Sequence, residues 1–273
     1  MKKTTRLISW KLTIEYDGTR YYGWQEQIGA RTVAGEVRRA AETFLDQPAD
    51  LLGAGRTDAG VHALAQVARL RAARRLKPLE LHRGLNDHLP PDINVLRVEE
   101  ATSHFDPRRD AKARYYLYQI STRRTAFAKK SVWWVKDRLD VEAMQRTSAL
   151  LVGRHDFARF CDKRAAEQST IVVVERAELG VEGDLILFRI GASHFLWKMV
   201  RRITGALVEV GRGKLSGDQF LALLDGLASD RRPPVFDAAA HTAPPSGLFL
   251  ERVVYQGERP PGALAPAIAV GHV

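Results

Sequence analysis

The chain has 273 residues, of which 45% are hydrophobic and 27% charged, so it can bury a sizeable core and does not have the composition of a disordered protein. Its 42 lysines and arginines against 32 acidic residues give a formal net charge of +10, which favours nucleic acid as partner ahead of an anionic membrane. Cys161 is the only cysteine, which excludes an internal disulfide or a thiolate metal cluster, and no apolar run approaches the roughly 20 residues of a membrane span.

The first half of the chain alternates strand-like and helix-like segments. Leu7 to Tyr16 is rich in strand-forming residues and ends at the turn-prone pair Asp17-Gly18. Thr32 is a suitable N-cap for a following run with apolar residues at helical spacing. In chain order we predict a strand over Leu7 to Tyr16, a helix over Thr32 to Leu45, a loop over Gly53 to Gly60, a strand over Val61 to Leu70, a helix over Pro78 to His88 and a strand over Ile93 to Val98.

The second half repeats this rhythm. Gly183 is placed to turn a hairpin, and Phe195 to Val210 is strongly amphipathic. We predict a strand over Ala113 to Ser121, a helix over Val141 to Val152, strands over Ser169 to Leu179 and Asp184 to Ile190, helices over Phe195 to Val210 and Asp218 to Leu227, and a last strand over Gly247 to Tyr255.

These elements predict an α+β protein built from two related halves. We place the halves at residues 1–108 and 109–256, with the connection between Phe105 and Lys112. Residues 257–273 contain several prolines and small residues, and we expect them to form an unstructured tail. The short stretch Lys163 to Gln168 has no assignable pattern and is a candidate loop for RNA contact.

The segment Gly53 to Gly60, GAGRTDAG, is the most informative part of the chain. It lacks the spacing of a phosphate-binding loop and of a dinucleotide-binding loop. It does place Arg56 and Asp58 two residues apart on a flexible backbone, a common position for catalytic groups. Two interpretations are open: an arginine that holds a nucleophilic carboxylate ionised, or a structural ion pair within an Asx turn.

Several motifs occur in an order that resembles the TruA family of pseudouridine synthases. The segment Gly55 to Ala63, GRTDAGVHA, is similar to the family signature. Six further groups resemble other family motifs: Tyr16-Asp17-Gly18-Thr19 with Gly23-Trp24-Gln25, Phe105-Asp106-Pro107-Arg108, Arg114-Tyr115-Tyr116-Leu117-Tyr118, His155-Asp156-Phe157, Phe195-Leu196 with Met199-Val200-Arg201, and Ala243-Pro244 with Gly247-Leu248. The likeness spans roughly residues 7–256, and so many ordered motifs are unlikely to arise by chance.

The resemblance implies both a fold and a reaction. The fold is the pseudouridine synthase fold, with two halves of mixed antiparallel sheet, flanked by helices, around a central RNA-binding cleft. The reaction converts uridine into pseudouridine at positions 38, 39 and 40 in the anticodon stem-loop of tRNA. Because this isomerisation transfers no external group and has no net redox change, we expect no cofactor and no metal.

The resemblance also assigns roles to single residues. Asp58 is the catalytic aspartate, which attacks either the ribose or the uracil ring. Arg56 pairs with Asp58 and helps to fill the space of the turned-out nucleotide. Tyr116 stacks on the target base, and Leu248 packs beside it. Arg201 is the residue that pairs with Asp58.

Four neighbouring residues are interpreted as noncatalytic. Strand alternation puts Tyr118 on the same face as Tyr116 whatever its role, and we expect it to be structural. Helical periodicity does not separate Arg201 from Arg202, and the family pattern leaves Arg202 as a surface or RNA-facing charge. His62 and His155 are expected to be hydrogen-bonded structural residues.

The expected partner is tRNA, bound by a protein that is cytoplasmic, is not associated with membranes and, by family analogy, is a homodimer. Six basic residues near the loop motifs are candidates for RNA contact: Arg20, Arg31, Arg108, Arg109, Lys112 and Arg114. Two rival functions are a noncatalytic RNA-binding protein on the same scaffold and a glycosidase that uses Asp58. A glycosidase would normally need a second carboxylate, and none stands out in the sequence.

Overall fold

The structure is a computed structural model that describes residues 7–162, 169–224 and 236–270. It divides into two compact units. Unit 1 comprises Met1–Lys112 and Leu250–Arg259, and unit 2 comprises Ala113–Phe249 and Pro260–Val273. The first boundary falls four residues after the predicted one at residue 108. Unlike the predicted halves, each unit contains two segments of the chain.

Unit 1 is an antiparallel sheet with two helices. Strand β1 (Ile8–Tyr16) pairs with β3 (His62–Ala72) on one side and with β4 (Ile93–Ala101) on the other, and β2 (Asp50–Gly53) also pairs with β3. The helices are α1 (Val33–Leu45) and α2 (Pro78–His88). The boundaries of β1, α1 and α2 confirm the elements predicted there, whereas β2 was not predicted.

Strand β1 shows why unit 1 folds as it does. Trp10, Leu12 and Ile14 alternate along it and are fully buried, as a half-buried strand requires. Helix α1 begins where the Thr32 hydroxyl accepts a hydrogen bond from the backbone N–H of Gly35, which confirms the predicted N-cap. In α2, Gly84 leaves room for the ring of Phe44 in α1, so the two helices pack closely.

The strands of unit 2 pair mostly in antiparallel fashion. Strand β5 (Ala113–Ser121) pairs with β9 (Leu185–Ala192), β9 with β8 (Ile171–Glu182), and β8 with β7 (Gly153–Asp156). A short strand, β6 (Trp133–Trp134), runs parallel to the end of β5. The predicted hairpin around Gly183 is confirmed as β8 and β9, whereas β6 and β7 were not predicted.

The described part of unit 2 also contains three α-helices, and strand β10 includes residues of both units. The helices are α3 (Val141–Ala149), α4 (Met199–Gly211) and α5 (Gly217–Leu224), and the predicted end of α5 at Leu227 lies outside the described residues. Strand β10 (Leu248–Val254) contributes its first two residues to unit 2 and the rest to unit 1. Five helices and mainly antiparallel strands in the described part of the chain confirm the α+β class.

Helix α4 begins later than predicted. The sequence pattern suggests a start at Phe195, but Lys198 has a φ of 62°, a left-handed conformation that separates the preceding turn from the helix. From Met199 onward the helix is buried on nearly all sides, and only Arg201 within it is half-buried. A helix surrounded in this way is a core element of its unit.

The C-terminal tail differs from its prediction. In unit 2, the fully buried Gln119 side chain accepts a hydrogen bond from the backbone N–H of Ala267 at 2.6 Å and donates one to the Ile268 carbonyl at 3.3 Å. The buried guanidinium of Arg189 donates to the carbonyls of Gly262 and Ala263 at 3.0 and 3.1 Å. Buried polar groups need partners, and here the tail supplies them, so residues 260–270 are structured.

Candidate active site

The predicted catalytic loop occupies residues 54–61 of unit 1, between β2 and β3. Its first turn is attached to β3, because the Ala54 N–H donates to the carbonyl of Val67 at 2.8 Å. The fully buried Gln66 side chain donates to the Gly55 carbonyl at 2.9 Å. The loop therefore begins from a fixed backbone rather than from a mobile connection.

The family's opening motif forms a cradle for the middle of the loop. The backbone N–H of Trp24 donates to the carbonyl of Thr57 at 3.1 Å, and the Tyr16 hydroxyl lies 2.8 Å from the Thr57 hydroxyl. On the other side of Asp58, the Gly60 N–H donates to the Tyr21 carbonyl at 3.2 Å. The backbone is thus held immediately before and soon after Asp58.

Asp58 itself lies on a tight turn. Its carbonyl accepts a hydrogen bond from the Val61 N–H at 3.1 Å, and Gly60 has a φ of 77°, which favours glycine. Thr57 is buried, Asp58 is half-buried, and Arg56 and Ala59 are exposed. This arrangement presents one carboxylate from a rigid turn, as a catalytic group requires.

Two further contacts hold the cradle in place. The Tyr21 hydroxyl donates to the Asp92 carboxylate. Burial is the main cause that raises the pKa of Tyr21 well above its ordinary value, and this hydrogen bond raises it further. The ring of Trp24 stacks on that of Tyr16 with centroids 6.1 Å apart. Sequence reasoning treated Tyr16 and Trp24 only as parts of a family motif and missed their positioning role, and it gave Tyr21 no role. The sequence feature that could have indicated this role is the group of aromatic residues and glycines between β1 and α1.

His62 has the structural role that was predicted. It is buried, and its Nδ1 accepts a hydrogen bond from the Gly18 N–H at 3.1 Å. The carboxylate of Asp17 lies 3.2 Å from the same nitrogen, a contact that would be an ion pair only with a protonated ring. A backbone donor and a neighbouring carboxylate therefore both contact one ring nitrogen of His62, which supports its structural role.

Unit 2 contains the second group of predicted residues. Tyr116 lies on β5 opposite Ile190, is 8% exposed, and meets the ring of Phe195 edge-on with centroids 5.0 Å apart. Tyr118 is fully buried, and its hydroxyl donates to the Pro244 carbonyl at 2.7 Å. Burial raises the pKa of Tyr118 well above its ordinary value, and the charge of Arg201 lowers it only in part. These contacts agree with the structural role predicted for Tyr118.

Arg201 and the segment before β10 are tied together. The Arg201 Nε donates to the Ala243 carbonyl at 2.8 Å, and the Ala243 N–H donates to the Arg201 carbonyl at 3.0 Å. Gly247 packs against the ring of Tyr118, where a Cβ would lie 2.6 Å from a ring carbon, and Leu248 follows it and is buried. Three motifs that are distant in sequence are therefore neighbours within this unit.

Arg202 is not the surface charge that was predicted. It is 8% exposed and donates to the Cys161 carbonyl, with the Asp162 carboxylate 3.8 Å from its guanidinium. Periodicity alone did not distinguish it from Arg201, because the two residues flank the same apolar stripe of α4. The structure assigns the half-buried position to Arg201 and the buried one to Arg202.

The candidate RNA contacts fall into two classes. Arg114 is 9% exposed and donates to the Ser193 carbonyl at 2.7 Å, which argues for a structural role. The other five are exposed, although two of them also form ion pairs: Arg31 with Glu36 at 2.7 Å and Arg109 with Asp106 at 3.1 Å. The exposed candidates are Arg20, Arg31, Arg108, Arg109 and Lys112. The candidate loop Lys163 to Gln168 lies outside the described residues.

Comparison with known proteins agrees with the predicted resemblance. The family described as tRNA pseudouridine synthase matches residues 12–108 and 148–256. Proteins named tRNA pseudouridine synthase A from Brucella ovis and Brucella canis are each 39% identical over 251 residues, which cover 90% of this chain and 97% of the relative. A chain from the structure of a Cbf5–Nop10–Gar1 complex aligns at 13% identity over 72% of this chain and 54% of that one, with a TM-score of 0.29, too low to establish a common fold.

The chain belongs to the tRNA pseudouridine synthase family. The family match includes the aspartate loop of unit 1 and the Arg201 and Leu248 positions of unit 2. Tyr116 lies in residues 109–147, which this match does not include. None of the helices in residues 7–162, 169–224 and 236–270 combines the length and the apolar character that a membrane span needs.

Proposed function

We propose that this protein isomerises uridine to pseudouridine at positions 38, 39 and 40 of the tRNA anticodon stem-loop, with Asp58 as the catalytic carboxylate and no cofactor. The observation that carries the proposal is the turn at Asp58, with Thr57 and Gly60 hydrogen-bonded to Trp24 and Tyr21 in a chain of this family. Such a turn holds a carboxylate at a constant position while the substrate changes shape.

The chemistry needs a group that stays in place through three steps. The N-glycosidic bond breaks, the uracil rotates, and a carbon–carbon bond forms between the ring carbon C5 and the ribose. The proton lost from C5 is balanced by one taken up at N1, so the product has the same atoms as the substrate. The Asp58 carboxylate acts as the nucleophile, either on the ribose or on the uracil ring, and is released unchanged. The base must first leave its stack, since a paired base is out of reach of the protein.

Other residues take roles that the family resemblance suggests. Tyr116 offers an aromatic face to the rotating uracil, and its buried setting against Phe195 supports a fixed orientation. Exposed Arg56 is available to fill the space of the turned-out nucleotide, Leu248 to pack beside the base, and Arg201 to serve as the catalytic arginine. The protein acts as a homodimer in the cytoplasm, where its tRNA substrate is found.

The first test is carbodiimide mapping of pseudouridine on unmodified tRNA transcripts. We expect new stops at positions 38 to 40 with wild-type protein and with Asp87→Ala, a control that removes an exposed carboxylate from α2. No stops are expected with Asp58→Ala or Asp58→Asn. Turnover by either Asp58 variant would refute its assignment.

Binding separates this enzyme from a noncatalytic RNA-binding protein. Because phosphate contacts supply most of the affinity, Asp58→Ala should bind tRNA as tightly as wild type, and affinity should fall steeply with added salt. Tight binding by a wild-type protein that produces no stops would favour the noncatalytic function. Release of free uracil would favour the glycosidase.

A further inference from the structure

A loop of unit 2 presents a fully exposed aromatic ring among cations. The loop comprises residues 122–136, between the end of β5 and the residues just after β6, and we call it the basic-aromatic loop. Its fifteen residues include five lysines and arginines and no acid. Phe127 is 102% exposed, and Trp134 is 43% exposed. Large aromatic side chains are normally buried, so a fully exposed one suggests a binding surface.

Buried residues on both sides of the turn hold the loop in place. Ala128 and Val132 are 6% and 3% exposed and belong to a hydrophobic cluster that includes Leu117, Leu187 and Val270. Because Ala128 is anchored in this cluster, its neighbour Phe127 points away from it.

Hydrogen bonds reinforce these anchors. The Ser131 N–H donates to the Ala128 carbonyl at 2.8 Å, and the Ser246 hydroxyl donates to the Val132 carbonyl at 3.1 Å. The Gln119 side chain donates to the Ser131 carbonyl at 3.0 Å. The exposed ring is therefore held on a constrained backbone, which lowers the entropy cost of using it to bind a partner.

The cations lie close to the rings. Lys129 and Lys130 follow Phe127 by two and three residues and are exposed, and the Arg124 guanidinium lies 6.0 Å from the centre of the Trp134 ring. Arg123 is bound to Asp184 at 2.6 Å. Aromatic faces beside phosphate-binding cations are the combination that binds unpaired nucleotides.

We propose that the basic-aromatic loop is a second RNA-contact surface, in which Phe127 stacks on an unpaired nucleotide of the tRNA and Lys129 and Lys130 contact its backbone. The choice of tRNA as the RNA rests on the proposed function. A second copy of this chain fits the surface less well, because a two-fold contact centred here would bring the cations of one copy against those of the other. Lysines are also depleted at protein–protein interfaces.

Equilibrium filter binding of an unmodified tRNA transcript tests the stacking role. Phe127→Ala and Phe127→Leu should each weaken binding about tenfold, the effect of losing one stacked base, because leucine keeps the apolar bulk but has no flat face. Phe127→Trp should bind like wild type. The matched control is Val173→Ala, which truncates another exposed apolar residue of unit 2, on β8.

The lysines are tested through the salt dependence of the same binding. A Lys129→Gln, Lys130→Gln double variant should make the plot of log affinity against log salt shallower by about two, one for each lost phosphate contact. Because all of these side chains are exposed, the variants should fold normally.

Two outcomes would overturn the proposal. If the Phe127→Ala variant binds tRNA as tightly as the Val173→Ala variant, the proposed stacking contact does not exist. Phe127→Ala that changes the sedimentation of the protein without changing RNA affinity would identify a protein–protein surface instead. A failure of the proposed function would be distinguished by a different measurement. The wild-type protein would then produce no pseudouridine, whereas the differences in tRNA affinity between these variants could still be present.

Discussion

Gly23 lies directly against the backbone of Thr57, so closely that a Cβ on Gly23 would be 2.4 Å from the Thr57 carbonyl oxygen. Gly23 also has a φ of 88°, a conformation that other residues rarely adopt. The glycine therefore lets the opening motif approach the loop that carries Asp58. The position of the carboxylate depends on a residue 35 positions earlier in the sequence.

Gly23→Ala should impair both stability and catalysis. Backbone strain costs about 1–3 kcal/mol, and the clash with Thr57 adds to it and displaces the loop. A displacement of the order of 1 Å lowers turnover about 100-fold. The control is Gly29→Ala, which has a φ of 73° but open space around the added Cβ. Gly29→Ala should lower the free energy of unfolding in urea by the backbone strain alone and should leave turnover unchanged. Equal losses of turnover in both variants would contradict this prediction.

Arg202→Met should destabilise the protein by about 3 kcal/mol, because it leaves the Cys161 carbonyl without its donor and removes a buried cation beside Asp162. Urea unfolding measures the loss. Arg201→Met should instead abolish pseudouridine formation with a smaller effect on stability, since Arg201 is only half-buried. The reverse pattern would show that the roles of the two arginines are exchanged.

Deletion of residues 260–273 should destabilise unit 2 by about 3 kcal/mol or more. It removes the carbonyl partners of Arg189, the tail contacts of Gln119 and the packing of Val270, and each buried donor left without a partner costs about 1–3 kcal/mol. Deletion of residues 271–273 alone is the control. Thermal unfolding midpoints that coincide for the two truncations would show that the tail contributes nothing to stability.

Asp106 should make stability sensitive to acid. Burial raises its pKa, but hydrogen bonds from the backbone N–H groups of Arg109 and Arg108 and from the Arg109 side chain outweigh burial, so the pKa of Asp106 lies below its ordinary value. A lowered pKa in the folded state contributes stability that is present above about pH 4 and is lost as the pH falls through the folded pKa.

Asp106→Asn provides the comparison for this pH effect. The variant lacks the ionised carboxylate, so its unfolding free energy should be lower than that of wild type at pH 6 and should approach it as the pH falls below about 4. Urea unfolding across this range measures the difference. A difference that stays constant with pH would exclude an ionised Asp106 as its source.

Local sequence patterns determined the secondary structure of this protein to a large extent. The alternation of Trp10, Leu12 and Ile14 identifies β1, and Pro78 with Pro90-Pro91 bounds α2. Both signals operate over a few residues, where backbone geometry sets the period and proline limits hydrogen bonding. The short strands β2, β6 and β7 were missed, since two to four residues are too few to show a period.

The sequence by itself also determined the family and the aspartate loop, because ordered motifs with constrained spacing survive as a pattern. Tertiary structure alone decided that Gly23 and Trp24 hold the loop, that Arg202 is buried beside Asp162, and that residues 260–270 complete unit 2. Partners such as Gln119 and Ala267 are 148 positions apart. Such contacts depend on how whole elements pack, and this information is absent from the local periodicity of either segment.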